Sequence, residues 1–557
     1  MLPENHHKKT VIFLLVIFAF SYLFLFFNLG SYSLKEPDEG RYAEIPREMV
    51  EQGDYVVPRL DYVRYFEKPP LLYWVTAASY KMFGVSEWSF RFPNALVALL
   101  CVLATFFFAS RRFGSKTGLL SSLILTTSFG FFALGRLVTT DMLFTFLLFA
   151  ALLCFYEFYR DRKRLFLYLF YAALALAVLA KGPVALILLG ATILLFLLLE
   201  RRVSFIKEMA SVTGIAVFTI IAVPWFVLIC LREKEFFQFF FIDQHIMRFL
   251  TSKHKRSGPP YYFIPVLFGG LFPWSIFIPR AVVRAWRTPE MRLLFIWSLV
   301  VFAFFSVSGS KLPPYILPIF PALSVVLGSL FEKEWQKPLR LNGEIIVYGI
   351  FFLCLALGSF AYTGGMLDTY LGTAISDAAA SLSGDIRGFS IAVSVISLVI
   401  LLVLVVRKTR TFRSLFFALS AFSVSVILGL MLHAHVIDRL NTTKELAQVI
   451  NGIGEKDLVV VNYGSFDQTL PFYIQKGTYI AEYTGELRMG SRYEDTRDHF
   501  LDHDAFVRLF KSESPVVTVL KAKRLAHLKK SGIEDFRVIL CQDKRCLIGN
   551  PSAVRNR

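Results

Sequence analysis

Long apolar stretches dominate the first 436 residues of the chain. Each is about 17 to 25 residues long, the length that an α-helix needs to cross the hydrocarbon core of a membrane. A transmembrane β-barrel would instead show short segments of alternating polarity. We therefore predict a mostly α-helical, polytopic membrane protein with about 13 transmembrane helices. The predicted spans lie near residues 11–29, 90–110, 118–134, 142–158, 165–180, 183–199, 211–231, 261–279, 293–308, 314–330, 345–363, 388–406 and 414–436.

The pattern changes at about residue 437, where polar and apolar residues begin to mix. Short β-branched runs that are typical of buried strands alternate there with segments that have helical periodicity. The predicted strands are Leu458–Val461, Val516–Val519 and Arg537–Leu540, and the predicted helices are Thr443–Ile450, His503–Lys511 and Lys523–Ser531. We therefore predict two domains: a transmembrane domain over 1–436, with extended loops at about 30–89 and 232–260, and a C-terminal α/β domain over 437–557.

The short loops indicate an orientation. Lys and Arg are retained on the cytoplasmic side of a membrane, and the loops that begin near Arg111, Arg160, Arg201, Arg280, Lys333 and Arg407 are all basic. Every second loop between the predicted spans is basic, so the six basic loops all lie on one side of the membrane, the cytoplasmic side. This count places the N-terminus in the cytoplasm and the C-terminal domain in the periplasm. The first span has no small-residue cleavage site after it, so we interpret it as a retained anchor.

Composition supports a membrane protein that binds anions. Lys and Arg number 60 against 42 Asp and Glu, a net charge of +18, and only 18% of residues are charged. These values argue against a disordered protein and an ordinary soluble enzyme. The two long loops carry positive charge on the side where it is normally scarce, and phosphate binding is a candidate reason.

Two of the six cysteines lie in the C-terminal domain. Cys541 and Cys546 flank residues 542–545 between two strand-like segments, so a disulfide that closes a hairpin is predicted in an oxidising compartment. The other four, Cys101, Cys154, Cys230 and Cys354, lie in apolar spans, where small-residue packing is the default interpretation.

The first long loop holds a dense group of ionisable residues. It begins with the run from Glu36 to Glu44, and it ends with Glu67-Lys68-Pro69-Pro70 next to the following apolar segment. Asp38 is suited either to capping the helix that follows or to a functional role. Lys68 is suited either to an ordinary interface position or to holding a phosphate as a point charge.

Seven short motifs, in this order and spacing, resemble those of one enzyme superfamily. They resemble the C-type, polyprenyl-phosphate-dependent glycosyltransferases (GT-C fold), and within these the bacterial lipid A aminoarabinose transferases (ArnT-like), which are related to protein O-mannosyltransferases. The motifs are Asp38 to Glu44, Arg59-Leu60, Phe66 to Leu71, Arg91 to Asn94, Gly135-Arg136 through Asp141-Met142, Lys181-Gly182-Pro183, and Lys311 to Tyr315.

The resemblance implies roles for individual residues. Asp38 and Asp141 are implied as catalytic acids. The residues predicted to bind the donor phosphate or substrate are Lys68, Arg41, Tyr65, Arg136, Arg256, Lys311 and Tyr315. Glu67 and His254 are candidate metal contacts, although no cofactor is certain and a divalent metal ion is left open. The second loop, with Asp243, His245, Arg248, Lys253, His254, Lys255 and Arg256, is interpreted as a lid over anionic headgroups, with a solvated basic loop as the alternative.

The resemblance also implies a reaction. A sugar, here 4-amino-4-deoxy-L-arabinose, would pass with inversion from undecaprenyl phosphate to a lipid A phosphate on the periplasmic face of the bacterial inner membrane. The implied partners are the undecaprenyl-phosphate-linked donor, lipid A or another glycolipid, and membrane lipids, with no nucleic acid. Two alternatives stay open: a transferase that acts on protein Ser/Thr or another glycolipid, and a lipid or sugar transporter. Transporters place ionisable groups near the membrane midplane, whereas the predicted spans are almost free of internal charge.

Overall fold

The computed structural model describes residues 3–247, 258–286, 288–339, 343–363, 383–406, 411–432, 441–455, 457–530, 532–542 and 544–554. The chain divides into two compact units. The first unit is Met1–Asn28, Asn94–Pro224 and Phe241–Val436, and the second is Leu29–Pro93, Trp225–Phe240 and Ile437–Arg557. The C-terminal domain therefore shares its unit with most of the first long loop and with a segment near residue 230. The sequence pattern places both of those segments with the membrane helices.

The first unit is helical. Its helices, including those that run on into the second unit, are Pro3–Ser21 with the π-helical turn Tyr22–Phe26, Glu87–Phe113, Ser115–Thr126, Phe129–Arg136, Thr140–Asp161, Arg164–Lys181, Val184–Leu199, Phe205–Met209, Val212–Arg232, the π-helix Gln238–Met247, Phe263–Gly270, the 3₁₀ turn Ser275–Phe277, Ile278–Ala285, Pro289–Val307, the 3₁₀ turn Pro313–Ile316, Ile319–Glu334, Gly343–Thr363, Ser383–Val405 and Phe412–Leu432. Within the described residues, every predicted span overlaps one of these helices or a bent pair of them.

Eleven spans qualify by length and composition within the described residues. Nine are single helices, and two more result if each bent pair counts as one span. The bent pairs, Ser115–Thr126 with Phe129–Arg136 and Phe263–Gly270 with Ser275–Val283, turn by 66° and 117°. The helices Val184–Leu199 and Ile319–Glu334, at the two other predicted spans, have 16 residues each. A 16-residue helix is about 24 Å long, shorter than a hydrocarbon core of about 30 Å.

Several hydroxyl side chains inside these helices bond to their own helix. Thr105, Thr192 and Ser298, for example, each donate a hydroxyl hydrogen bond to the carbonyl four residues earlier. Such bonds satisfy a hydroxyl where no water is present. These hydroxyl groups are therefore compatible with hydrocarbon.

The second unit contains a six-stranded sheet and a separate hairpin. The hairpin strands are β1 (Arg59–Leu60) and β2 (Val63–Arg64), and the sheet strands are β3 (Val459–Tyr463), β4 (Tyr479–Ala481), β5 (Phe500–Leu501), β6 (Val516–Lys521), β7 (Arg537–Gln542) and β8 (Arg545–Gly549). The sheet order is β5-β4-β3-β6-β8-β7. Strands β5, β4, β3 and β6 are parallel, with Val461 opposite Thr518, whereas β8 and β7 are antiparallel additions.

Helices cover both faces of this sheet. Val517 and Val519 of β6 pack with Leu446 and Leu470 on one face, and Val516 and Leu520 pack with Phe506 and Phe510 on the other. A strand that is buried on both faces has a continuous apolar sequence, which explains the run at 516–520. The helices and helical turns of this unit are Asp38–Gln52, Leu71–Phe83, Lys444–Asn451, Thr469–Ile474, Gly485–Leu487, Gly490–Arg492, Glu494–His499, His503–Phe510, Ala522–Arg524, Leu525–Lys530 and Pro551–Val554. The predicted α/β character of the C-terminal domain is confirmed.

The predicted disulfide is also present. Cys541 and Cys546 face each other across β7 and β8, with their Cα atoms 4.0 Å apart and their sulfur atoms bonded. The bond closes the hairpin at the edge of the sheet.

Candidate functional site

Asp38 lies at the start of the helix Asp38–Gln52, which we call the loop helix. The N-cap position is occupied by Pro37, so the carboxylate does not cap the helix and lies in its first turn instead. The side chain of Asp38 is 55% exposed, and one of its oxygens is 3.6 Å from Nη1 of Arg41. A solvent-accessible carboxylate beside a guanidinium is therefore available to a substrate at this point.

Arg41 is the centre of a buried group in the second unit. Its Nη2 atom is 2.6 Å from a carboxylate oxygen of Glu486, in the C-terminal domain. Its guanidinium carbon also lies 5.7 Å from the centroid of the Tyr65 ring. The phenol of Tyr65 is buried and has no hydrogen-bond partner among the residues that the structure describes. A buried donor without a partner is costly, so this hydroxyl is suited to a ligand.

The charges around Arg41 act on one another. Burial works to lower the pKa of Arg41, whereas Tyr65 and the carboxylates of Glu486 and Glu67 raise that pKa well above its usual range. Burial raises the pKa of Glu486 although Arg41 opposes the shift. Glu67 is therefore close enough to act on both charges of the Arg41–Glu486 pair, and Lys68 follows it directly in the chain, half-buried like Glu67.

The segment that leads to Asp38 is held by Arg91. This guanidinium is fully buried, and it forms a bidentate ion pair with Glu39 through Nε at 2.9 Å and Nη2 at 2.8 Å. It also donates to the carbonyl oxygens of Leu29, Tyr32 and Ser33. Glu39 directly follows Asp38, so this pair positions the start of the loop helix.

Two further carboxyl groups attach the first loop to the C-terminal domain. Glu36 accepts hydrogen bonds from the backbone N–H groups of Gln468 and Thr469, at 2.9 and 2.7 Å. Asp61, at the tip of the β1–β2 hairpin, accepts from the N–H and hydroxyl of Thr478 at 2.8 and 2.6 Å. Burial raises the pKa of both carboxyl groups to about 7.

A second cluster lies in the first unit, at the ends of two helices. Lys181, the last residue of Arg164–Lys181, donates a hydrogen bond to Asp141 in the first turn of Thr140–Asp161. The Lys181 ammonium is also 4.5 Å from the ring centroid of Tyr315. The hydroxyl of Thr139 donates to the other oxygen of Asp141 at 3.1 Å. The structure thus brings Asp141, Tyr315 and Lys181 together.

Two other predicted cations of the first unit, Lys311 and Arg136, have backbone partners. Lys311 is buried and donates to the carbonyl oxygen of Ser308 at 2.8 Å. Arg136, at the end of Phe129–Arg136, donates to the carbonyl oxygens of Phe24, Phe27 and Asn28. These bonds cap the end of the first span, which is a structural role that the sequence pattern does not reveal.

Most of the predicted lid and one of the two predicted metal contacts lie outside the residues that the structure describes. His254, Arg256, Arg248, Lys253 and Lys255 lie outside the described residues. Among the residues that the structure does describe, no three or more His, Cys, Asp or Glu side chains are grouped so that they would hold a metal ion.

Three residues of the site, Glu486, Glu39 and Arg91, were not predicted from the sequence. Glu486 lies in a stretch without a motif, and its partner Arg41 is more than 400 positions away in the chain. Glu39 and Arg91 both fall in motifs, but no role is evident for them in the sequence. A charged residue at the start of an apolar span was the available signal for Arg91, because such a residue needs a partner.

Two protein-family models match the chain. The first, described as dolichyl-phosphate-mannose-protein mannosyltransferase, matches residues 67–227, and the second, described as aminoarabinose transferase C-terminal domain, matches residues 446–550.

Several named proteins align with most of the chain. The undecaprenyl phosphate-alpha-4-amino-4-deoxy-L-arabinose arabinosyl transferase of Pectobacterium carotovorum subsp. carotovorum is 30% identical over 520 residues, which cover 90% of this chain and 89% of that protein. The undecaprenyl phosphate-alpha-4-amino-4-deoxy-L-arabinose arabinosyl transferase 2 of Proteus mirabilis is 26% identical over 550 residues, which cover 95% of this chain and 97% of that protein. The crystal structure of ArnT from Cupriavidus metallidurans bound to undecaprenyl phosphate superposes with a TM-score of 0.82 and 27% identity, and covers 98% of this chain and 99% of that chain.

Proposed function

Because the chain belongs to the family of undecaprenyl phosphate-aminoarabinose arabinosyl transferases, we propose that it transfers 4-amino-4-deoxy-L-arabinose from undecaprenyl phosphate to a phosphate group of lipid A. The chain is a multi-pass membrane glycosyltransferase with the GT-C fold. The observation that carries the proposal is the exposed Asp38 carboxylate beside the buried Arg41, which Glu486 of the C-terminal domain holds in place.

The proposed reaction is a single displacement. An oxygen of the lipid A phosphate attacks the anomeric carbon of the sugar, the bond from that carbon to undecaprenyl phosphate breaks, and the configuration inverts. The acceptor phosphate is already ionised, so no general base is required. Asp38 then orients the acceptor, and a misplaced acceptor costs about 100-fold in rate.

Cations supply the electrostatic stabilisation. Negative charge grows on the leaving phosphate as the glycosidic bond breaks, and a fixed cation stabilises it most in a water-poor site. We assign this task to Lys68, which is next to Glu67 and is suited to a phosphate as a compact point charge. Arg41 and the hydroxyl of Tyr65, which has no hydrogen-bond partner among the described residues, complete the polar surface of this cluster.

The second cluster is proposed to bind the donor. Lys181 neutralises Asp141 and contacts the Tyr315 ring, so the three side chains form a rigid group at the helix ends. Rigid polar groups of this kind fix the orientation of a bound substrate. The reaction needs no metal ion in this scheme, so a chelator is expected to leave the transfer rate unchanged.

The test is transfer in vitro with purified protein, undecaprenyl-phosphate aminoarabinose and lipid A, read out by the mass of the product lipid. Wild type is compared with Lys68→Ala, and each reaction is run with and without a chelator. Transfer by wild type and its loss in Lys68→Ala would support the proposal. Activity only with a protein acceptor would retain the enzyme class and change the acceptor, whereas transport of the lipid without transfer would overturn the proposal.

The proposed location is the bacterial inner membrane, with the N-terminus in the cytoplasm and the C-terminal domain in the periplasm. The basic loops support this orientation. Ser512 is exposed on the C-terminal domain, so Ser512→Cys should react with a membrane-impermeant maleimide in intact spheroplasts, and wild type serves as the background. Labelling only after lysis would contradict the orientation.

A further inference from the structure

A cavity of about 400 Å³ lies in the second unit, away from the Arg41 group. It is lined by Tyr62 from the β1–β2 hairpin and by Gly477, Thr478, Tyr479 and His499 from the C-terminal domain. Its volume is within the range of about 300–1,000 Å³ that ligand sites occupy. No role in the proposed reaction has been given to any of these five residues.

The lining chemistry indicates the kind of ligand. The lining side chains that the structure describes are two phenols, an imidazole and a threonine hydroxyl, none of which carries a permanent charge. A phosphate would require cations, and a lipid tail would favour aliphatic walls. Aromatic faces with hydroxyl groups between them suit a ring that has apolar C–H faces and polar hydroxyl edges. That description fits a neutral saccharide.

Tyr62 is held rigidly at the rim of the cavity. Asp61 and Tyr62 form the two-residue turn of the hairpin, and both have positive φ angles, 56° and 61°. Non-glycine residues adopt this conformation only where their surroundings impose it. The N–H of Tyr62 donates to Glu48 at 3.0 Å, and its hydroxyl donates to Glu51 at 2.7 Å. The phenol is therefore preorganised, which lowers the entropic cost of binding.

The opposite wall leaves space for the phenol. A Cβ atom on Gly477 would lie 3.0 Å from Cδ2 of Tyr62, so a side chain at this position would push the ring by a few tenths of an ångström. Tyr479 on β4 is 38% exposed, and its ring meets the His499 imidazole edge to face at 6.2 Å. An aromatic ring exposed at a cavity and supported from one side is a suitable stacking surface.

We propose that this cavity is a carbohydrate subsite that binds a sugar ring of the acceptor glycolipid. The identity of the acceptor rests on the proposed function, whereas saccharide binding by the cavity does not. Tyr479 provides the stacking face and Tyr62 forms the opposite wall, while the Thr478 hydroxyl is bonded to Asp61 and Asn462 and holds the floor of the cavity in place. The cavity thus acts in acceptor recognition and not in the chemical step.

The first experiment measures binding without catalysis. The full chain in lipid nanodiscs is titrated with N,N′-diacetylchitobiose, a neutral glucosamine disaccharide, and binding is followed by saturation-transfer NMR. Tyr479→Ala and Gly477→Ala should each weaken binding about tenfold, since the first removes the stacking ring and the second displaces Tyr62. Val538→Ala is the control, because Val538 is 46% exposed on β7 at the other edge of the sheet and should bind as wild type does.

The second experiment measures transfer to lipid A. Tyr479→Ala should raise KM for the acceptor about tenfold and leave kcat unchanged, because a recognition subsite acts before the chemical step. A binding signal that is absent in wild type, or unchanged in both cavity variants, would overturn the inference even if transfer is normal. Saccharide binding that depends on Tyr479 in a protein that transfers no sugar would support the subsite and contradict the proposed function.

Discussion

The two units of this protein satisfy their buried polar groups in different ways. In the first unit, hydroxyls such as those of Thr105 and Thr192 bond to a carbonyl four residues earlier in the same helix. In the second unit, the carboxyl groups of Glu36 and Asp61 bond to backbone N–H groups more than 400 residues later. Local bonds require only a helix, whereas distant bonds require the complete fold of their unit. The second unit is therefore expected to be the more sensitive to single substitutions.

The largest effect is expected for Arg91→Ala. The substitution leaves the Glu39 carboxylate buried without its guanidinium and frees three backbone carbonyls, and breaking a buried pair costs about 3–5 kcal/mol. Thermal unfolding of the purified protein would measure this loss. The control is Arg111→Ala, whose side chain is 52% exposed and pairs with Asp161 and with Glu157. Glu157 keeps its ion pair with Arg112 in this variant, so about 0–1 kcal/mol is expected. Equal losses in the two variants would contradict the expectation that the buried ion pair of the second unit contributes more to stability than the exposed pair of the first unit.

Asp38→Asn should affect activity and not stability. We expect a loss of about 100-fold in transfer rate, equivalent to about 2.7 kcal/mol, because the amide cannot orient the acceptor as the carboxylate does. The melting temperature should stay at the wild-type value, since the side chain is 55% exposed and does not cap its helix.

Asp504→Asn is the matched control for Asp38→Asn. Asp504 is another exposed aspartate in the first turn of a helix of the second unit. Normal transfer by Asp38→Asn, or an equal loss in the control, would remove Asp38 from the site.

A pair of threonine substitutions compares the two units directly. Thr469→Val removes a hydroxyl that donates to the Glu36 carboxyl group at 2.5 Å and accepts from the backbone N–H of Thr443 at 3.2 Å. A hydrogen bond to a charged group contributes about 1.5–3 kcal/mol. Thr192→Val removes a bond to Leu188 within one membrane helix, where about 0.6 kcal/mol is expected. The two melting temperatures give the comparison, and a larger loss for Thr192→Val would reverse our interpretation.

A pH dependence of stability is expected from two buried carboxyl groups of the second unit. Glu36 and Asp61 have folded-state pKa values raised to about 7 by burial, above the values of about 4 of the unfolded chain. The folded state therefore binds more protons between about pH 4 and pH 7. The stabilisation is complete below the unfolded pKa, and it is lost as the pH rises through 7, by about 1.4 kcal/mol per pH unit for each proton.

Unfolding measured from pH 5 to pH 8 would test this slope. The free energy of unfolding should fall over that range in wild type and fall less steeply in Glu36→Gln. A stability that increases with pH, or an unchanged slope in the variant, would exclude Glu36 as a source of the effect.

Much of the fold could be predicted from the sequence because the sequence patterns that indicate it are local. Apolar length predicted the spans, and the strand pattern at 516–519 predicted β6. The disulfide between Cys541 and Cys546 was predictable because only four residues separate the two cysteines. Strands β4 and β5 were missed, since they contain only three and two residues and have too little pattern to recognise.

Less of the site could be predicted from the sequence. The motifs contain Asp38 and Arg41, and Tyr65 directly precedes one of them, but the sequence contains no signal that Glu486 is the partner of Arg41. Arg136 was predicted to bind phosphate, and the structure shows it bonded to carbonyls at the end of the first span. Both outcomes depend on segments that meet only after folding.

The sequence by itself determined that this chain spans a membrane many times, that it ends in an α/β domain, and that it has the motifs of a polyprenyl-phosphate glycosyltransferase. These features follow from hydrophobic length, strand periodicity and motif spacing, which are properties of contiguous residues. Only the tertiary structure decided which partners hold Glu36, Glu39 and Arg41, and which residues line the cavity at Tyr479. The physical reason is that a buried charge is stable only with a partner, and here that partner is often supplied by a segment more than 400 residues away.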